Sequence, residues 1–208
     1  SVTGRRDRTL LGLTGGGNGR PRPATVIGQV SDVNDPENQG RVKVTLPWLS
    51  DDYVSGWART VHAGAGKDRG CQVLPEVGDE VLVTFEQGSI DRPVVLGGLY
   101  NGIDTPPSGP TAVVDGGTGR VDRRSFVSRK GHRIDLVDAD SGDGVRATTA
   151  GDKLTLIMDQ SQTSITLAAD GTVTIEGSKG ITIDAKQSDL AVKANKIDIQ
   201  ATSGVKLN

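Results

Sequence analysis

Ile165-Thr166-Leu167, Val173-Thr174-Ile175, Ile181-Thr182-Ile183, Leu190-Ala191-Val192, Ile197-Asp198-Ile199 and Val205-Lys206-Leu207 are apolar-x-apolar triplets recurring every eight residues, one step of nine cancelling one of seven. On a strand, residues two apart share a face, so each triplet offers two apolar side chains to one side and turns its middle residue outward. Between triplets stand turn formers such as Asp170-Gly171 and Gly177-Ser178-Lys179-Gly180. Fainter members, Ile134-Asp135-Leu136, Val145-Arg146-Ala147 and Leu154-Thr155-Leu156, precede the series at looser intervals.

An extended chain advances only about 3.3 Å per residue. A step of eight residues that also spends several on a turn is too short to wrap those side chains by itself. Three copies wound about one axis would close the core, give each layer one strand per copy and leave no open edge. A single-chain β-solenoid needs about twenty residues per coil, and its calcium-binding form repeats Gly and Asp pairs. Here Gly116-Gly117-Thr118-Gly119 occurs once. The spacing therefore predicts an all-β homotrimeric needle over residues 128–208, an intertwined triple-stranded β-helix. Its core would be Ile165, Leu167, Val173, Ile175, Ile181, Ile183, Leu190, Val192, Ile197, Ile199, Val205 and Leu207. No aromatic residue follows Leu154, as a narrow axial core requires.

Working outward, residues 103–127 read as a linker, with Pro106, Pro107, Pro110 and the glycines at 109, 116, 117 and 119. Some 25 residues are too few for a catalytic domain between the two flanking parts. Residues 24–102 change to short alternating strands. Val42, Val44 and Leu46 alternate with polar residues, and Val81, Val83 and Phe85 repeat the pattern after Gly78-Asp79. Val94-Val95-Leu96, between Pro93 and Gly97-Gly98, reads as a strand covered on both faces. About five strands with no amphipathic helix predict a small closed barrel of the OB type. Residues 1–23, rich in Gly, Arg and Pro, read as a flexible arm. Arg5, Arg6, Arg8, Arg20 and Arg22 suit either a solvated segment or a docking strap for an acidic neighbour.

Composition agrees with thin β-structure. Hydrophobic residues are 34% and aromatics 3% of the 208, too few for one thick core, and the 29 glycines follow no collagen period. A net charge of −2 provides no global attraction to nucleic acid or anionic lipid. No run approaches the roughly 20 apolar residues of a membrane-spanning helix. The charged start, Ser1 to Arg8, has no apolar stretch behind it and is not read as a Sec signal; lacking an initiator Met, it reads as a processed or excised piece.

Four features of the sequence are candidates for chemistry. The carboxylates lie beside glycines or between repeats, with no shared pocket for an acid and a base. Gly64-Ala65-Gly66-Lys67 lacks the spacer and the following hydroxyl residue of a phosphate loop and reads as a barrel loop. His62 and His132 fall in different segments, and Cys71 has no second cysteine. The expectation is no catalytic residue, no metal and no cofactor.

One stretch carries a family likeness. It runs through Gly28-Gln29-Val30, Asp35-Pro36-Glu37-Asn38-Gln39-Gly40-Arg41-Val42-Lys43-Val44, Pro47-Trp48 and Trp57-Ala58-Arg59. It continues in Leu74-Pro75-Glu76-Val77-Gly78-Asp79-Glu80-Val81 and ends in Asp91-Arg92-Pro93-Val94-Val95-Leu96-Gly97-Gly98-Leu99-Tyr100-Asn101-Gly102. In order and spacing it resembles the central spike proteins of contractile injection systems: phage-tail spikes, the VgrG proteins of type VI secretion, and extracellular injection particles. Gly40, Val42, Val44, Pro47, Trp48, Trp57, Pro75, Gly78, Asp79, Val81, Pro93 and Gly97 would define the barrel, the two tryptophans serving as barrel or trimer-contact anchors.

The resemblance implies a structural, cell-puncturing spike driven through a target envelope by sheath contraction. Its partners would be a baseplate hub protein and the tube end at the barrel, and a PAAR-type tip protein at the needle. Nucleic acid and stable membrane insertion before firing are not expected. Assembly would take place in the bacterial cytoplasm, on a phage tail-like particle or virion baseplate, with release outside the cell in some systems. Nothing ahead of Ala24 matches the hub-like module of VgrG proteins, and no lysozyme domain separates barrel from needle. Two other readings are carried: a spike that bears an effector or lysozyme-type enzyme domain outside this sequence, and an adhesive fibre, which the scarcity of aromatics disfavours.

Overall fold

The computed structural model describes residues 25–205, so the arm at 1–23, Ala24 and the predicted core residue Leu207 lie outside it. The chain is all-β and divides between residues 108 and 109 into two units.

The first unit is built from β1 (Thr25–Asp32), β2 (Lys43–Thr45), β3 (Arg59–Thr60), β4 (Ala65–Gly66), β5 (Arg69–Gly70), β6 (Glu80–Phe85) and β7 (Pro93–Gly98). Five of these form one curled sheet in the order β2-β1-β6-β7-β3. Neighbours are antiparallel except β3 and β7, which run parallel. The ends of that order meet through antiparallel bridges Val42–Ala58 and Thr45–Val54. There the Ala58 N–H donates to the Val42 carbonyl at 2.7 Å, and the Ser55 N–H to Val44 at 2.9 Å. The ring β1-β2-β3-β7-β6-β1 is the closed circuit of a five-stranded OB-type barrel, which removes the edges of the sheet. The β4–β5 hairpin stands outside it.

Alternation places the core. Val30, Val42, Val44, Leu46, Ala58, Val81, Val83, Phe85 and Val95 are buried together, while their strand neighbours point outward. This packing leaves little room at Gly28: a Cβ there would lie 3.0 Å from Leu46 Cδ2 and 3.0 Å from the Thr45 carbonyl oxygen. One expectation fails. The run Val94-Val95-Leu96 is not covered on both faces: Val95 is fully buried and Leu96 is exposed. A barrel wall has only one inner face, and the register slips by one residue here, where Leu82 pairs with Gly97 but Val83 with Val95.

The second unit opens with an antiparallel meander: β8 (Arg123–Val127), β9 (Arg133–Val137), β10 (Gly144–Thr148), β11 (Leu154–Asp159) and β12 (Ser164–Ala169), paired in chain order. Strand β8 and the Val114–Val121 bridge fall within the segment read as linker from its prolines and glycines. Residues 170–205 carry no strand ladder within the single chain. They turn at the predicted Gly177–Gly180, where the Gly180 N–H donates to the Gly177 carbonyl at 3.1 Å, and again where the Ser188 N–H donates to the Ala185 carbonyl at 3.0 Å. Any side chain at Gly177 would collide with the Gly180 carbonyl, 2.5 Å from its Cβ position.

Candidate functional site

The barrel motif is held by a charged clamp. Asp35 accepts backbone N–H bonds from Glu37 (3.1 Å), Gln39 (2.8 Å) and Arg41 (3.3 Å), and is gripped by the Arg41 guanidinium through Nε at 3.0 Å and Nη2 at 2.6 Å. These bonds wind residues 35–41 into a tight loop whose Asn38 and Gly40 both adopt positive φ, 52° and 70°. The guanidinium holds the Asp35 carboxyl well below the usual carboxylate range and is itself held above its ordinary value. The sequence offers only the six-residue separation of Asp35 and Arg41 as a signal for the pair.

The remaining barrel-defining residues mostly shape turns and walls. Gly78 (φ 98°) donates to the Val30 carbonyl at 2.8 Å, and Asp79 Oδ2 accepts the Glu76 N–H at 2.8 Å, fixing the entry to β6 beside half-buried Pro75. Val42, Val44 and Val81 are fully buried, and Pro93 is buried opposite Phe85. Gly97 lies opposite Leu82. The Lys43 ammonium sits 4.7 Å from the centre of the Trp57 ring, a cation–π contact on the outer wall. Pro47 is exposed, and Trp48, at 47% exposure, is not an anchor within a single barrel.

The thiol, the histidines and the Gly64–Lys67 loop are dispersed. Cys71 is exposed and free. His62 and His132 accept backbone N–H bonds from Val73 (3.4 Å) and Ala150 (3.2 Å), one in each unit. The Gly64–Lys67 loop is part of the β4–β5 hairpin. Among the described residues no three His, Cys, Asp or Glu side chains come together as metal ligands.

What stands out is apolar. Ile165, Leu167, Val173, Ile175, Ile181, Ile183, Leu190, Val192, Ile197, Ile199 and Val205 are all exposed in the single chain, between 48% and 76%. Large side chains scattered singly over a surface need no account, but a continuous series does. The meander adds to it. Phe126, Ile134, Leu136, Leu154, Leu156 and Met158 are 40–57% exposed on one face of the β8–β12 sheet. Phe126 and Met158 were not singled out from the sequence, although the spacing Leu154, Leu156, Met158 carries the strand period. The opposite face buries charge instead. Asp135 is wholly buried, accepting from Arg133 Nε (2.6 Å) and Ser125 Oγ (2.6 Å), with Arg123 Nη1 at 3.8 Å. Burial pushes the Asp135 carboxyl up, and the Arg133 and Ser125 hydrogen bonds outweigh it, leaving the carboxyl below its usual range.

Geometry thus defines the first unit as an OB-type barrel and the second as β-structure with an uncovered apolar strip. Residues 26–100, which span the barrel, match the family described as the type VI secretion system/phage-baseplate injector OB domain. The chain is 35% identical over 91 residues to the type VI secretion system spike protein VgrG2a of Pseudomonas aeruginosa, and 37% identical over 91 to VgrG3 of Vibrio cholerae. It is also 36% identical over 93 residues to the actin cross-linking toxin VgrG1 of Vibrio cholerae. Each match takes in 42% of this chain but only 8–11% of the relative, so the chain spans a small part of the curated relatives' length.

Proposed function

We propose that the chain is a structural, cell-puncturing spike of a phage-tail-like contractile injection system, working as a homotrimer. The observation that carries this reading is an injector-type OB barrel followed in the same chain by apolar triplets at eight-residue spacing, whose apolar residues from Ile165 to Val205 are all exposed when the chain is alone. Removing such side chains from water stabilises by roughly 1.5–3 kcal/mol each. Two further copies wound about the same axis would cover them and pair the segments that the single chain leaves unpaired, giving a triple-stranded β-helix along the eight-residue series. The product is a thin rod without sheet edges, and sheath contraction needs only its stiffness.

In this reading the barrel faces a hub protein and the tube end, the needle carries a PAAR-type tip, and the complex assembles in the bacterial cytoplasm. No residue acts as a catalyst, and neither nucleic acid nor a membrane is a partner before firing. A second reading, a spike that bears an effector domain beyond this sequence, draws on the actin cross-linking toxin among its relatives. Light scattering on the purified chain tests the first: a mass three times the 21.7 kDa of one chain is expected, and a monomer at micromolar concentration would overturn it.

A further inference from the structure

The segment that leaves the barrel is fastened by one amide. Strand β7 ends at Gly98, and the Leu99 N–H still donates to the carbonyl of Glu80, the first residue of β6, at 2.9 Å. Asn101 then uses both ends of its side chain. Its Oδ1 accepts the backbone N–H groups of Ile103 at 3.0 Å and Asp104 at 2.8 Å, and these two donors settle which amide atom is the oxygen. Its Nδ2 donates to Glu80 Oε2 at 3.3 Å and to Asp104 Oδ2 at 3.4 Å. The backbone closes the loop, the Asn101 N–H donating to the Asp104 carbonyl at 3.2 Å. Two carboxylates are thus drawn to one nitrogen, which holds them because it is an uncharged donor of two hydrogens.

The residue after this amide is Gly102. A side-chain amide of asparagine is open to attack by the backbone nitrogen that follows it, and glycine, lacking a Cβ, hinders that approach least. Gly102 has φ 92° and open space around its Cβ position, and residues 101–104 are all exposed. Attack of the Gly102 nitrogen on Asn101 Cγ forms the C–N bond of a five-membered succinimide. The Cγ–Nδ2 bond breaks, and Nδ2 leaves as ammonia with the proton that the Gly102 nitrogen gives up. Water then opens the ring at either carbonyl, leaving aspartate, or isoaspartate with the main chain running through the side-chain carbon. The two N–H groups on Oδ1 are placed to stabilise the negative charge that this oxygen takes up as Cγ becomes tetrahedral. Neither product offers Glu80 and Asp104 a donor. A third carboxylate replaces the amide between them, and like charges at that range repel.

We infer that Asn101 is a self-modifying site: loss of ammonia from its side chain, with water as the only reagent, unfastens residues 101–104 from the first residue of β6. The site is set within one barrel, so it stands whether or not the chain assembles as proposed above. The other Asn–Gly pair of the sequence, Asn18-Gly19, lies outside the described residues.

Incubation of the full chain at mildly alkaline pH, followed by peptide mapping in the mass spectrometer with isoaspartate counted by enzymatic methylation, tests the chemistry. A synthetic peptide of residues 97–106 serves as the reference. An exposed loop opens at little cost, so Asn101 should convert within about threefold of the peptide's rate, giving both isoaspartate and aspartate. Asn101→Gln, whose longer side chain cannot close the five-membered ring, should stay intact at that position. An Asn101 still unchanged when the peptide is fully converted would overturn the site. Hydrogen exchange on the converted chain and on Asn101→Asp reads the consequence. The Ile103 and Asp104 amides should exchange at least about tenfold faster than in the unmodified chain, with the Leu99 amide unchanged. Equal exchange at Ile103 and Asp104 would overturn the unfastening. So would loss of protection throughout the barrel, because Asn101 would then hold more than its exit.

Discussion

Ile183→Ser offers the sharpest measurement of what the needle triplets are for. In the single chain the Ile183 side chain is 69% exposed, so about two thirds of its burial remains to be gained on assembly. With roughly 1.5–3 kcal/mol for complete burial of such a residue, that is about 1–2 kcal/mol per copy and about 3–6 kcal/mol for three copies. At about 1.4 kcal/mol per decade, the assembly constant should fall about 10²- to 10⁴-fold. Thr182, the middle residue of the same triplet, points to the opposite side of its strand, so Thr182→Ala should leave assembly within about threefold of the original. Sedimentation equilibrium across a dilution series, repeated at several guanidinium concentrations to bring the trimer into a measurable range, reads both variants. Equal effects of the two substitutions, or no effect of Ile183→Ser, would refute the assignment of the triplets to a shared core.

Three further outcomes are expected. The Asp35 carboxyl is held below its ordinary value in the folded barrel, so its stabilising contribution is complete above about pH 4, the unfolded value, and is lost as pH falls towards the folded one. The melting-temperature gap between wild type and Asp35→Asn should therefore be widest at neutral pH and shrink below pH 4; a gap independent of pH would count against the clamp. Gly28→Ala should destabilise the barrel by about 1–3 kcal/mol in guanidinium unfolding, because the new methyl meets Leu46 and the Thr45 carbonyl at 3.0 Å with Val83 close behind, and an unchanged midpoint would contradict that packing. Asp135→Ala removes the buried carboxylate that Arg123 and Arg133 share on the covered face of the second sheet and should cost about 3–5 kcal/mol, whereas the exposed Asp170→Ala should change thermal stability by less than about 0.5 kcal/mol.

Local pattern and global arrangement contributed differently to this protein. Strand alternation over Val42, Val44, Leu46 and over Val81, Val83, Phe85 is a property of neighbouring residues, because a pleated strand turns successive side chains to opposite faces, and the buried core of the barrel follows it. The eight-residue triplets are legible for the same reason, as are the turns at Gly177–Gly180. Three things came only from the tertiary structure. The circuit β1-β2-β3-β7-β6 depends on bridges such as Val42–Ala58, whose partners are separated by a long excursion that no local period encodes. The Asp35–Arg41 clamp needed a loop conformation with two positive-φ residues to bring carboxylate and guanidinium together. The orientation of the β8–β12 sheet was open in the sequence, since a strand such as Arg133-Ile134-Asp135-Leu136-Val137 has apolar residues on both sides. Only the fold, by laying residues 109–113 over the Arg123–Asp135 cluster, decided that the charged face is covered and that Ile134 and Leu136 look outward.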